Sequence, residues 1–286
     1  SIVSVENSSK SFLSLVVVVF HLGLLMVGLV TNGRPNWSAL SATFFMYNFS
    51  FSYGFVNYIF GLGVFFITLA MWLHFHSRWT LGRIFSISAL SMLCYVSHLS
   101  AFVFLGVSLA CLTGIDLIKT RSFRPEQALG LFPLLAPALA YLFYSQGIQP
   151  KAPMLWWHPL IEGKVKGLLY PFLSYDFFLD LSLGLAFVSL VLLSVHLKVT
   201  RLVSWKLLLI GGLFIVLYAF APTSAGGTHF VDRRFVLPAI VFLLLALRIE
   251  TSKTLGCFVL AGLISISVVR TAEVWYYWNN IGMEVQ

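Results

Sequence analysis

Charge is scarce in this chain. Lys, Arg, Asp and Glu make up only 10% of its 286 residues, while 59% are hydrophobic and the mean hydropathy is +0.92. A soluble globular domain carries roughly 25% charged residues, so an ordinary soluble fold is excluded. Cysteine is scarce too. Cys94, Cys111 and Cys257 all lie within apolar runs, where they read as small packing residues rather than a disulfide or metal set. Catalytic signatures are missing: there is no GxSxG, P-loop, HExxH or GxGxxG, and Gly61-Leu62-Gly63 lacks the strand context of a dinucleotide fold. His74-Phe75-His76 offers two imidazoles, but an i, i+2 pair does not share a helical face and no carboxylate joins it. No metal ligand set and no cofactor is expected.

Long hydrophobic runs are what the chain does contain. Nine occur, at about 11–31, 54–73, 81–95, 99–117, 127–146, 177–197, 207–222, 235–247 and 255–275. A bilayer core needs ~20 apolar residues per helix, with ~17 as the usual lower limit. The third, seventh and eighth runs are short by that measure. Backbone polar groups in lipid must pair internally, so each run is a helix or a barrel strand, and continuous rather than alternating hydrophobicity selects the helix. No basic segment with a small-residue cleavage site precedes the first run, which is therefore read as a span rather than a signal peptide.

The connections alternate between basic and nearly non-basic. If residues 83–117 form two helices with a turn at Ser97-His98-Leu99-Ser100, 11 of the 18 Lys and Arg fall on one side and 7 on the other. If they form one long helix, that segregation collapses. The positive-inside rule therefore predicts two helices, a cytoplasmic N-terminus, and longer connections 32–53, 147–176 and 223–234 on the external face. Net charge of +8 is explained by this topology and by anionic lipid. No Lys/Arg run reaches the density of a nucleic-acid patch, so the expected partner is the lipid bilayer and not nucleic acid. The expectation is an all-α, polytopic integral membrane protein of about nine transmembrane helices, with residues 1–286 forming a single transmembrane helical domain.

Polar residues without a topological task gather in the external loops. The stretch 48–58 alternates aromatics with Asn48, Ser50, Ser52 and Asn57. It reads either as an interfacial aromatic belt or as the wall of a groove for an amphipathic ligand, with the two Asn as hydrogen-bond donors. The loop 147–176 holds Trp156-Trp157-His158, which suits interface anchoring or a sugar-stacking surface. Asp176 and Asp180 flank the sixth run: the first is placed to favour a helix N-terminus, the second lies one turn inside, where a charge is costly. The sharpest pattern is Thr228-His229-Phe230-Val231-Asp232-Arg233-Arg234-Phe235. Two adjacent Arg on the face where positive charge is least expected read as headgroup contacts or as a phosphate site, with Asp232 orienting one guanidinium. His98, at the predicted turn, reads as a packed residue or as part of the same groove.

Three stretches together, 48–58, His98-Leu99-Ser100-Ala101-Phe102 and Val231-Asp232-Arg233-Arg234-Phe235, resemble bacterial membrane proteins of the GT-C glycosyltransferase type, which are similar to polyprenyl-phosphate-sugar-dependent transferases. The resemblance covers most of this chain but only the later part of such an enzyme. It implies sugar transfer from a polyprenyl phosphate carrier on the external face of the bacterial inner membrane. It implies further that Arg233 and Arg234 hold the phosphate, that Asp232 orients them, and that His98 and Asn57 line the substrate groove; from the reading of the loops, Asn48, Trp156, Trp157 and His158 are further candidate substrate contacts. Such enzymes carry an acid in the first external loop. The 32–53 loop has no Asp or Glu; under the resemblance, either the acid lies in an N-terminal portion outside this sequence or Asp176 or Asp232 substitutes as the catalytic carboxylate. The alternative is a non-catalytic integral subunit of a larger membrane complex, with other membrane subunits as partners.

Overall fold

The computed structural model of the protein describes residues 5–33, 38–76, 79–121, 129–145, 154–156, 160–225, 228–250 and 252–284. It is all-α apart from two small β-ribbons. Five helices are long and apolar enough to cross a membrane: Lys10–Asn32, Val56–Phe75, Leu99–Thr120, Phe177–His196 and Thr254–Asn280. The other apolar runs give shorter elements, each for a local reason. The fifth contains Pro133 and Pro137. It winds as a 3-10 turn, Phe132–Leu134, before an α-helix of 11 residues, Leu135–Ser145. At 1.5 Å per residue that helix is about 16 Å long, against ~30 Å of hydrocarbon. The eighth run ends at Leu245 because Leu247–Ile249 leaves the helix to pair as a strand.

The chain divides into two compact units. The first comprises Ser1–Arg34 and Val56–Lys151. Its helices are α1 (Val5–Asn32), α4 (Val56–Phe75), α5 (Leu81–Ser97), α6 (Leu99–Thr120) and α7 (Leu135–Ser145). Helix α4 is the centre, with Tyr58, Ile59, Leu62, Phe65, Phe66, Leu69 and Trp72 all buried. Its glycines have packing roles. A Cβ at Gly63 would lie 2.7 Å from the Phe20 amide nitrogen, and one at Gly61 would lie 3.4 Å from the His98 Cβ. Close backbone approach of this kind drives helix association where lipid removes the hydrophobic force. The break expected near His98 is present. His98 is extended (φ −168°, ψ 124°), and its Nδ1 accepts from the Ser100 amide at 3.2 Å, capping α6.

The second unit comprises Pro35–Phe55 and Ala152–Gln286. Two short helical turns, α2 (Ser38–Ser41) and α3 (Phe49–Ser52), precede α8 (Leu160–Leu169), α9 (Phe177–His196), α10 (Trp205–Phe220), α11 (Val236–Leu245) and α12 (Thr254–Glu284). Strands β1 (Thr200–Leu202) and β4 (Leu247–Ile249) pair antiparallel, and β2 (Ser224–Ala225) pairs with β3 (Thr228–His229). The β1–β4 pairing gathers the C-terminal ends of α9 and α11 with the N-terminal ends of α10 and α12. The opposite ends of the same helices are gathered around Asp176, Lys164 and Asp232. Helix α11 is buried on almost every side, through Val236, Leu237, Ala239, Val241, Phe242 and Leu245. A helix so enclosed packs against protein on almost every side.

Candidate anion-binding site

The Arg233–Arg234 site is built entirely within the second unit. Its floor is the β2–β3 ribbon, with Ser224 opposite His229 and the Ser224 hydroxyl 2.9 Å from His229 Nδ1. Leu155 bridges to Ser224 through two backbone bonds of 2.9 and 3.1 Å, which brings the exposed Trp156 to the ribbon. Phe230 follows with φ +58°, a left-handed conformation that is unfavourable for a bulky residue. Such strain persists where the surroundings over-determine it. Here the Val231 amide donates to the Thr223 carbonyl at 2.9 Å, and the Phe230 ring is held in an aromatic cluster.

Asp232 is buried and caps the 3-10 turn Arg233–Phe235. Its Oδ1 accepts from the Arg233 amide at 2.9 Å and its Oδ2 accepts from Lys164 Nζ at 2.8 Å. Lys164 Nζ also donates to the carbonyls of Tyr218 (2.9 Å) and Ala221 (2.7 Å) at the end of α10. All three ammonium donors are therefore engaged, and a cation at a helix C-terminus is favoured by the dipole. The sequence expectation gave Asp232 the task of orienting a guanidinium. In the fold its side-chain oxygens go to Lys164 and to a backbone amide. Lys164 is thus the ion-pair partner of Asp232, and the two Arg follow directly after Asp232 in the chain.

The Arg233 guanidinium carbon lies 3.9 Å from the Tyr170 ring centroid and 4.6 Å from that of Phe230. Burial pulls its pKa below the ordinary value, and Tyr170 and then Asp232 partly restore it. Arginine's ordinary pKa is so high that the group stays cationic at neutral pH. Arg234 is half-exposed. It donates to the His229 carbonyl at 3.2 Å and sits 5.5 Å over the Phe55 ring. Phe49 completes the walls, with ring centroids 4.2 Å from Tyr170, 4.4 Å from Tyr53 and 6.0 Å from Phe230. Asn48 shapes this wall from behind. It is buried, its Oδ1 accepts from the Ser50 and Phe51 amides, and its Nδ2 donates to the Phe45 carbonyl at 2.6 Å.

The remaining expected residues fall elsewhere. Asp176 caps α9, with Oδ1 accepting from the Phe178 and Leu179 amides at 3.0 Å each and Oδ2 accepting from the Tyr277 hydroxyl at 3.4 Å. Asn57 and His98 belong to the first unit. Asn57 is exposed at the start of α4, and His98 is half-buried, 5.3 Å from the Tyr58 ring. Trp157 and His158 lie outside the described residues.

Sequence reasoning missed a second polar centre in this unit. Arg270, on α12, has no solvent-exposed surface. Its guanidinium pairs with Asp180 of α9 and with Glu273 at 3.2 Å, and donates to the carbonyls of Tyr47 (3.0 Å) and Phe172 (2.8 Å). Asp180 in turn accepts from the Ser174 amide. One Arg therefore fastens α12 to α9 and to two irregular segments. The cost of Asp180 inside an apolar run was a visible signal for it. So was Glu273 three residues after Arg270, a spacing that shares a helical face.

Comparison with protein-family models, with curated proteins and with solved structures finds no match for this chain in any of the three.

Proposed function

We propose that this chain is an integral membrane protein that binds the phosphate of an amphipathic lipid carrier at Arg233 and Arg234. On the resemblance of its motifs, the carrier is a polyprenyl phosphate sugar and the activity is glycosyl transfer of the GT-C type. One observation carries the anion site: two adjacent guanidinium groups, Arg233 and Arg234, are held over aromatic rings directly beside the Lys164–Asp232 ion pair, which concentrates three cations around one carboxylate. The aromatic walls of Phe49, Tyr53, Tyr170 and Phe230 suit the apolar remainder of such a ligand. Asp232 has both oxygens engaged. Asp176 also has both oxygens engaged, but it is half-exposed and its Oδ2 holds a long 3.4 Å bond from the Tyr277 hydroxyl, so of the two it is the more accessible base for an acceptor hydroxyl.

Sidedness belongs to the same proposal. In the second unit the β1–β4 end holds Lys198, Arg201, Lys206, Arg248 and Lys253 against the single acid Glu250. The opposite end holds five cations and six acids. The positive-inside rule then puts the β1–β4 end in the cytoplasm and the Arg233 site outside, in a bacterial inner membrane with the N-terminus cytoplasmic. A second reading, a non-catalytic subunit of a larger membrane complex, is favoured by one observation: both candidate carboxylates serve as helix caps.

Binding of a short-chain polyprenyl phosphate to the purified protein tests the first reading. A charge-assisted hydrogen bond contributes ~1.5–3 kcal/mol, so Arg234→Ala should weaken binding about tenfold or more. Arg234→Lys should restore it only in part, because the planar fork is lost. Equal affinity for all three proteins ends the proposal. Binding without sugar transfer in wild type, and with no effect of Asp176→Asn, selects the subunit reading.

A further inference from the structure

The β1–β4 ribbon contains an arrangement that a free-standing ribbon disfavours. Its register sets Arg201 directly opposite Arg248. Directly opposed residues of an antiparallel pair share a face with Cβ atoms ~4.5–5.5 Å apart, and like charges there are destabilising. Arg201 is exposed and Arg248 half-exposed. Among the described residues neither guanidinium has a hydrogen bond or ion pair. The nearby acid, Glu250, faces Lys253 at 3.8 Å instead. Lys198, held left-handed at φ +53°, and Lys206 add to the charge at this end.

The other face of the ribbon is apolar. Leu202 stands opposite Leu247 and Thr200 opposite Ile249. Ile249 is buried, whereas Leu202 is 48% exposed and Trp205, three residues on, is 41% exposed. Trp at the end of an apolar helix sits at headgroup level. The ribbon therefore presents two cations on one side and an exposed leucine beside an interfacial tryptophan on the other, at the ends of four apolar helices.

We propose that the Arg201–Arg248 pair is a binding site for the phosphodiester headgroup of an anionic phospholipid. One phosphate between the two guanidinium groups turns their mutual repulsion into attraction, with fork geometry available from both. Leu202 and Trp205 reach the acyl boundary of the same leaflet, which selects a lipid over a soluble phosphate. The proposal stands whichever side of the membrane this end occupies, and it does not depend on the Arg233 site.

The test uses the whole chain in neutral detergent, with phosphatidylglycerol, phosphatidylcholine or inorganic phosphate added. Thermal unfolding and retention of lipid in native mass spectrometry are the readouts. Arg near an anionic surface contributes ~1 kcal/mol each, so Arg201→Gln/Arg248→Gln should lose roughly 30-fold in phosphatidylglycerol affinity. Lys166→Gln, an equal change per residue at an exposed site paired with Glu162, should stay within about twofold. The sign of the stability effect should also cross. Without anionic lipid the double variant unfolds at the same or a higher temperature than wild type, because a repulsive pair is gone. With phosphatidylglycerol wild type is the more stable. Unchanged phosphatidylglycerol retention in the double variant, or a loss equalled by Lys166→Gln, overturns the proposal. Equal stabilisation by inorganic phosphate and phosphatidylglycerol overturns the lipid assignment.

Discussion

Replacing Lys164 by Met keeps the aliphatic stem and removes the ammonium, so it isolates what the charge does. The side chains of Lys164 and Asp232 are 13% and 3% exposed, and their ion pair is 2.8 Å long. Removing one partner of a buried pair costs ~3–5 kcal/mol, because the other is left charged and desolvated. Asp232 would keep only the Arg233 amide, and the carbonyls of Tyr218 and Ala221 would lose their donor. Asp232→Asn is the milder change. The ammonium it strands retains both carbonyls, and the amide oxygen still accepts from Arg233. The order expected is therefore Lys164→Met well below Asp232→Asn in stability, with the double variant recovering most of the loss.

At ~2–4 °C per kcal/mol for a domain of this size, a loss of ~3 kcal/mol corresponds to a fall of about 6–12 °C in Tm, measured by thermal unfolding in detergent. The double-mutant cycle gives the coupling directly. A loss under ~1 kcal/mol for Lys164→Met, or a double variant as unstable as the sum of the singles, would refute the reasoning. The same variant carries a functional consequence. An unneutralised Asp232 draws on the adjacent guanidinium groups, so phosphate affinity should fall even though both Arg remain.

Four further outcomes follow from packing, ion pairing and capping. Gly63→Ala should destabilise the first unit by ~1–3 kcal/mol, since its Cβ would press on the Phe20 backbone at 2.7–2.9 Å. Gly82→Ala, with nothing within 4 Å, should stabilise α5 by up to ~1 kcal/mol in the same thermal assay. Arg270→Met leaves Asp180 and Glu273 without their cation. It should lower the yield of monodisperse protein on size exclusion more than Lys164→Met does. Asp176→Ala should cost ~0.5–2 kcal/mol through its lost cap, and Asp176→Asn far less.

The long apolar helices were legible because length and hydropathy alone decide them. The break at His98 was legible through charge segregation. The shortness of the eighth run was legible from its length, but the strand that ends its helix at Leu247 was not, because it pairs with residues 45 or more positions earlier. Asp180 was legible as an expense but its partner was not. Arg270 is 90 residues away, and two of that guanidinium's acceptors are backbone carbonyls, which leave no mark in a sequence. Lys164 was hidden for the same reason: two of its three bonds go to the carbonyls that end α10.

Four of the polar residues expected to line the groove or to act as the catalytic carboxylate share a simpler explanation. Asn48, His98, Asp176 and Asp232 each stand immediately before a helical segment, and each accepts a bond from an amide of its first turn. Those leading amides have no intrahelical acceptor, and the penalty for leaving them bare is larger beside lipid than in water. A polar residue at the edge of an apolar run is thus claimed by the backbone first. Arg233 and Arg234 are different, because a guanidinium has no acceptor with which to cap an amide. That chemical incapacity is why the two arginines remain the strongest ligand-binding candidates of the original set.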